Sequence, residues 1–259
     1  MFKYLKVWWL FAASSIQAQM VMRWALVLLL VGKLLRFGIF TFFIVILLEK
    51  TKALAGYSLD ETLIFFLSFN LVDVLAQLVF REVYRFRPAV LQGTFDFYLI
   101  KPYNALFRAL TSGPDLLDFI TLIPLIGAIV FFINRLSIDP HNLLIYFILI
   151  FVGFVIALSF HILVLSLAIL TTEIDHALWI YRDIVSMGRF PIDIYREPIR
   201  GLLTFALPVG VMMSFPAKAL LGLLSPVFII YAVFFAVVFF FVSLWCWNYS
   251  LKQYSSASS

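Results

Sequence analysis

Apolar residues in this chain do not alternate with polar ones and do not recur at every third or fourth position. They run in unbroken stretches: Trp24–Leu48, Glu61–Phe80, Leu116–Ile133, Leu143–Leu170, Gly201–Leu224 and Pro226–Trp247. Each is near the roughly 20 residues an α-helix needs to cross a hydrocarbon core of about 30 Å. The pattern predicts an all-α polytopic membrane protein with six transmembrane helices in a single domain over residues 1–259. A β-barrel is excluded, because its strands would alternate polar and apolar residues.

Ahead of the first stretch, Phe2, Leu5, Trp9, Ala13, Ile16 and Met20 fall on one side of a helix, and Lys3, Lys6, Ser14 and Gln17 fall on another. Residues 1–23 therefore read as an amphipathic helix lying in the membrane interface. The alternative is a signal peptide, for which the apolar part, Val7–Ala13, is short and too aromatic. Thr171–Arg200 breaks the hydropathy scheme, because it carries five acids and four bases. It reads either as a long cytoplasmic connector or as a polar crossing (171–189) inside the bundle. In the second case the stretch with Pro191, Pro198, Pro208 and Pro216 forms an outside re-entrant hairpin over 190–224, since irregular backbone is tolerated at membrane depth only where protein or a water-filled cavity covers it.

Composition agrees with the pattern. The 259 residues are 64% apolar or aromatic and 13% charged, against about 45–50% and about 25% in soluble domains. With a single cysteine, Cys246, no internal disulfide can form. The formal charge of +5 matters through its distribution. With the N-terminus in the cytoplasm and 171–200 as a connector, Lys50, Lys52, Arg135 and Lys218 face out, Lys33 and Arg36 lie in the first span, and the remaining Lys and Arg face in. This bias places both termini in the cytoplasm.

No Gly-x-x-x-x-Gly-Lys-Ser/Thr loop, His-Glu-x-x-His, Gly-x-Ser-x-Gly or Cys-x-x-Cys occurs. The residues thus offer no catalytic constellation. His141, His161 and His176 have no recognised metal spacing; His141 is expected in a loop and His161 in a hydrogen bond across a helix interface. Two polar stripes stand out within spans. Lys33 and Arg36 share a face of the first, and Asn70, Asp73 and Gln77 share a face of the second. At 1.5 Å per residue Asp73 lies about 12 Å from Arg81, and Lys33 about 15 Å from Arg23, so Asp73 is an ion-pair candidate for Lys33 or Arg36. Charges at such depth commonly line a transport path; the plainer reading is that both cations snorkel to the headgroups.

Between the second and third spans, residues 81–115 combine cations with aromatics: Arg81-Glu82-Val83-Tyr84-Arg85-Phe86-Arg87-Pro88, then Gln92 to Asn104. A short amphipathic helix bounded by Gly93 and Pro102 would dock in a groove on a cytoplasmic protein, unless its aromatics simply sit at headgroup level.

Within this loop, Gly93-x-x-Asp96-x-x-Leu99-x-Lys101-Pro102-x-Asn104, with Tyr98 inside it, resembles an element of the permease subunits of type-2 ATP-binding-cassette exporters. Arg189-Phe190-Pro191-x-x-x-Tyr195, Leu203 to Gly210 and Phe215-Pro216-Ala217 are similar to a second segment of a bacterial group of about 260 residues in that family, usually called uncharacterised permease components. The tail from Trp247 to Ser258 is similar to a third. One departure is Ile169-Leu170-Thr171-Thr172, where the group usually has a Phe-Trp pair.

The resemblance implies a six-helix permease of the bacterial inner membrane, paired with a second permease subunit, identical or a paralogue, and with two copies of a cytoplasmic ATPase that binds ATP and Mg. This chain itself would hold no cofactor and engage no nucleic acid. Arg85, Arg87, Gly93, Asp96, Leu99, Lys101, Pro102 and Asn104 would form its ATPase-coupling loop, and 190–224 its re-entrant hairpin. Importer permeases of the superfamily carry a Glu-Ala-Ala-x-x-x-Gly loop; the nearest stretch, Phe107-Arg108-Ala109-x-x-x-Gly113, lacks the Glu, so export is favoured. Two rivals remain: an ion-coupled secondary transporter using Lys33, Arg36 and Asp73, for which no inverted repeat is visible, and an intramembrane enzyme, for which convergent catalytic groups are missing.

Overall fold

The computed structural model describes residues 2–111, 113–171 and 174–255. The last residues of the tail motif and Thr172 lie outside the described residues, as do the side chains of Phe2, Lys3 and His176. The chain is 84% helical, without strands among the described residues. In chain order the helices are α1 (Phe2–Val21), α2 (Arg23–Thr51), α3 (Leu59–Phe80), α4 (Phe86–Leu91), α5 (Asp96–Ile100), α6 (Ala105–Thr111), α7 (Leu116–Arg135), α8 (Pro140–Thr171) and α9 (Ile174–Ser186). They are followed by α10 (Ile199–Ala206), α11 (Gly210–Leu220) and α12 (Pro226–Gln253). Among the described residues five helical rods are long and apolar enough to cross a membrane, and six if α10 and α11 count as one broken span.

Local chemistry explains the boundaries. Ser58 and Glu61 form a reciprocal capping box at the start of α3, which satisfies orphan N–H donors there. The Asp115 carboxylate accepts from the Leu117 N–H and caps α7. Pro226 opens α12 at a position where its missing N–H costs nothing. The second rod continues to Leu91 through a 3₁₀ turn over Arg81–Arg85 and spans 33 residues. At 1.5 Å per residue that is about 50 Å, well beyond a hydrocarbon core of about 30 Å, so its last turns extend past the apolar layer.

The core is centred on α8, whose most extensive partner is α12 and which also packs on α3 and α11. The two ends of the bundle are marked by contacts. At one end, called the loop end, α1 packs against residues 103–116: Tyr4 on Phe107, Phe11 on Tyr103, and Gln19 bonded to the Pro114 carbonyl and the Leu116 N–H. The face of α1 that meets the protein is therefore the one carrying Phe11, Ala12, Ser15 and Gln19, while Leu5, Trp9 and Met20 stay exposed. At the far end, Arg135 pairs with Asp60 at 2.9 Å.

The segment after α8 is not a connector lying at one end. Arg182 bonds Tyr84 at the loop end, whereas Asp193 accepts from the Tyr57 hydroxyl at 3.0 Å and pairs with Lys218 at the far end. Burial, and then the Asp193 carboxylate, push the Tyr57 hydroxyl well above its ordinary pKa. Residues 182–193 thus lead along the bundle from the Tyr84 side toward the Tyr57 side. The continuous span expected at Gly201–Leu224 does not form. α10 and α11 meet at 82°, because Pro208 cannot donate within a helix and the backbone widens into π turns at Leu202–Ala206 and Gly210–Ser214.

Met212, beside this break, lies against Gly153, about 20 Å along α8 from Pro140 at 1.5 Å per residue. Gly222, beyond α11, returns to Asn142 in the first turn of α8. A Cβ at Gly153 would meet the Met212 carbonyl oxygen at 2.7 Å, and the next two nearest atoms are also Met212 backbone. Gly153→Val should cost about 1–3 kcal/mol through overpacking and show as earlier thermal aggregation in detergent. An unchanged melting profile would mean that α11 can move away freely.

Candidate functional site

Two regions combine organised polar chemistry with accessibility. The first is the loop surface. Gly93 takes φ +70°, a left-handed conformation that side chains resist. It ends α4, with its N–H on the Val90 carbonyl, and turns the chain so that Phe95 N–H bonds the Ala89 carbonyl at 2.9 Å. Phe95 is fully buried. Its ring meets Phe86, Tyr98, Trp247 and Tyr254 at centroid distances of 5.1, 5.8, 6.3 and 5.1 Å.

Beside it the Tyr254 hydroxyl donates to Asp96 at 2.9 Å. Burial, and then this carboxylate, push the Tyr254 pKa up to about 12. α5 is therefore pinned to the C-terminal end of α12. Its other side is open: Phe97, Leu99 and Ile100 are 58%, 43% and 75% exposed, and Lys101 and Pro102 follow, also exposed.

Of the remaining loop residues singled out in the sequence, Arg85 is exposed and lies 3.9 Å from Glu82, and Arg87 is half-buried. Asn104 accepts from the Phe107 N–H at 3.2 Å and so caps α6. The helix between Gly93 and Pro102 spans only Asp96–Ile100, and what it presents outward is apolar rather than basic.

The second region is a cavity of about 160 Å³ between α2, α3, α7 and α9. It brings together all five polar residues of the two stripes, Lys33, Arg36, Asn70, Asp73 and Gln77, and adds Arg182 and Arg189. An adjoining cavity of about 320 Å³ shares Arg36, Asp73, Gln77, Arg182 and Arg189 with it. The expected Asp73 ion pair with Lys33 does not form: Lys33 pairs with Asp118 in the first turn of α7. The cation reaches toward the loop end and ends on a buried carboxylate. Asp118, an acid two residues into a span, was the available signal for this partner.

Asp73 instead accepts from Gln77 at 2.7 Å; Gln77 accepts from Arg81 at 3.2 Å, and Arg81 pairs with Asp115 at 3.2 Å. This ladder links the cavity to the loop end. Arg182 donates to the Tyr84 hydroxyl at 3.3 Å and lies over its ring. Arg189 lies over Phe40 and Phe69, 5.6 and 5.8 Å from the ring centres. Sequence reasoning did not single out Arg182 and Arg189 as cavity residues, because hydropathy reads their segment as a connector and only the polar-crossing alternative brings them into the bundle.

His161 bonds the Ala157 carbonyl of its own helix at 2.7 Å instead of crossing an interface. Its interhelical contacts include ring contacts with Phe80, Tyr84 and Tyr181. His141 lies in the first turn of α8, where its N–H bonds Asp139. Among the described residues no three His, Cys, Asp or Glu side chains converge as metal ligands.

The sequence model of the family described as "ABC-2 family transporter protein" matches residues 34–258. The chain belongs to this family. It is an ABC transporter permease, the membrane component of a transporter, and membership implies association with an ATP-binding-cassette partner. No curated protein and no solved structure matches the permease. The match covers four of the five stripe residues at the cavity, Arg36, Asn70, Asp73 and Gln77, and the whole loop surface.

Proposed function

We propose that this permease exports its cargo across the bacterial inner membrane, driven by two copies of a cytoplasmic ATPase that hold ATP and Mg, and that it works beside a second permease subunit, identical or a paralogue. The observation that carries the reading is the anchored helix α5. Its apolar tip, Phe97, Leu99 and Ile100, stands exposed in a family member with no nucleotide-binding loop of its own. Exposed apolar side chains on a rigid base suit a groove on a partner protein. The Gly93–Asn104 segment is the coupling element: tighter binding of ATP to the closed ATPase dimer biases the bundle between inward and outward openings.

Orientation follows from charge. With α9 as the fifth crossing and α10–α11 as an outside re-entrant hairpin, Arg196 and Arg200 move outward and Arg182 and Arg189 into the bundle. Arg81, Arg85, Arg87, Lys101, Arg108, Lys3, Lys6, Arg23 and Lys252 still gather on one side. That side is cytoplasmic by the positive-inside rule, which puts α5 where the ATPase is and α1 on the inner leaflet. Of the charges the ion-coupled alternative would use, Lys33 is engaged by Asp118 rather than by Asp73.

The test is recovery of a co-expressed ATPase with the full chain from membranes. Leu99→Glu with Ile100→Glu should reduce recovery about tenfold or more, the scale expected when interface anchors are lost. Undiminished recovery would refute the docking role of α5.

A further inference from the structure

The cavity between α2, α3, α7 and α9 has a charge balance that its own residues do not close. Among the described residues on its wall, Lys33, Arg36, Arg182 and Arg189 are cationic, and Asp73 is the one carboxylate. Lys33 is taken by Asp118; Asp73, whose partner Gln77 is a neutral amide, keeps its charge and offsets one of the three arginines, and Asp183 lines only the adjoining cavity. Arg182 and Arg189 rest on the rings of Tyr84, Phe40 and Phe69. Such contacts orient a planar guanidinium but leave its charge in place. Taking uncompensated charge out of water costs several kcal/mol per ion. A phosphate or carboxylate would relieve that cost, and guanidinium groups bind either one bidentately.

The wall is also zoned. α3 runs from the far end to the loop end, so Phe66 and Phe69 lie toward the far end and Asp73 and Gln77 toward the loop end. α2 runs the other way, so Arg36 lies toward the loop end and Phe40 toward the far end. Phe40 stacks on Phe66 at 5.0 Å and continues the aromatic wall. Leu34, Arg36 and Pro124 are exposed, so the wall is open at α2 and α7.

We propose that this cavity is the cargo site and takes an anionic amphiphile, with its acid group held among Arg36, Arg182 and Arg189 and its hydrocarbon part against Phe37, Phe40, Phe66 and Phe69. The inference rests on the transport reading above and names its substrate class. The headgroup would lie toward the loop end, as it does for a lipid or acid drawn from the leaflet on that side.

The test uses the full chain in phosphatidylcholine nanodiscs, with phosphatidylglycerol or phosphatidylcholine labelled on one acyl chain as the probe. Phosphatidylglycerol should bind at least about tenfold more tightly than phosphatidylcholine, and Arg36→Gln with Arg189→Gln should remove about that factor, the scale of charged hydrogen bonds. Should the double variant fail to fold, Arg36→Gln alone, at an exposed position, carries the test.

Competition by dodecyl phosphate would assign the site to free single-chain acids as well, and lack of competition would assign it to bilayer lipid. Equal binding of the two lipids, or binding unaffected by the Gln variants, would overturn the proposal. Loss of ATPase recovery in the α5 variants reads the other surface, so either claim can fail alone.

Discussion

Phe95→Ala should expose the coupling element to chymotrypsin, with cleavage after Phe97 accelerated at least about tenfold, because truncating a buried Phe costs about 3–5 kcal/mol and proteolysis follows the population of the locally open form. Phe95 is the hub of the attachment: its ring touches Phe86 beneath α5 and both Trp247 and Tyr254 at the end of α12. With the ring gone, the tethers that remain include the Tyr254 bond to Asp96 and the contacts of Tyr98 with Phe86 and Arg108, and one hydrogen bond to a charged group contributes only about 1.5–3 kcal/mol. Phe97, Leu99 and Ile100 are untouched in this variant, so reduced ATPase recovery would report lost positioning, not lost contact. Phe95→Leu should restore most of the protection. A cleavage rate equal to that of the unaltered chain would show that α5 is held by something else.

Lys33→Met should lower stability by about 3–5 kcal/mol, the cost of leaving a buried charge without its partner, and should do so more strongly than Asp118→Leu. The asymmetry comes from exposure. Lys33 is 32% exposed and Asp118 is 1% exposed. Without Asp118 the lysine can still snorkel toward the loop end, whereas without Lys33 the carboxylate stays where water does not reach. One Asp118 oxygen is already without a hydrogen-bond partner, so the pair is imperfectly satisfied, and apolar replacement of both members should recover most of the loss. Thermal unfolding followed by tryptophan fluorescence in detergent would rank the variants. A double variant no more stable than Lys33→Met would contradict this account.

Much of the architecture was legible along the chain. The expected stretch Leu116–Ile133 became the helix Leu116–Arg135, and Leu143–Leu170 became Pro140–Thr171. The five long apolar rods among the described residues follow from run length, since any helix of about 20 apolar residues matches the membrane whatever its neighbours are. The loop turn was legible for a similar reason: Gly93 supplies a backbone conformation locally. Thr171–Arg200 was not legible, because an average over a window counts Arg182 and Arg189 as charges facing lipid. In the folded chain they face Tyr84, Phe40 and Phe69. The interhelical bond expected of His161 also failed, since an α8 carbonyl one turn away lay within reach.

By itself the sequence determined the class, the continuous spans, the loop turn and the two polar stripes, each a property of consecutive residues and helical periodicity. Tertiary structure alone decided that Lys33 meets Asp118 and not Asp73, that Arg182 and Arg189 join the stripes around one cavity, and that Asp96 is fastened to Tyr254. Those outcomes depend on how each helix is rotated and which helix lies beside it, and these are set by packing between residues far apart in the chain.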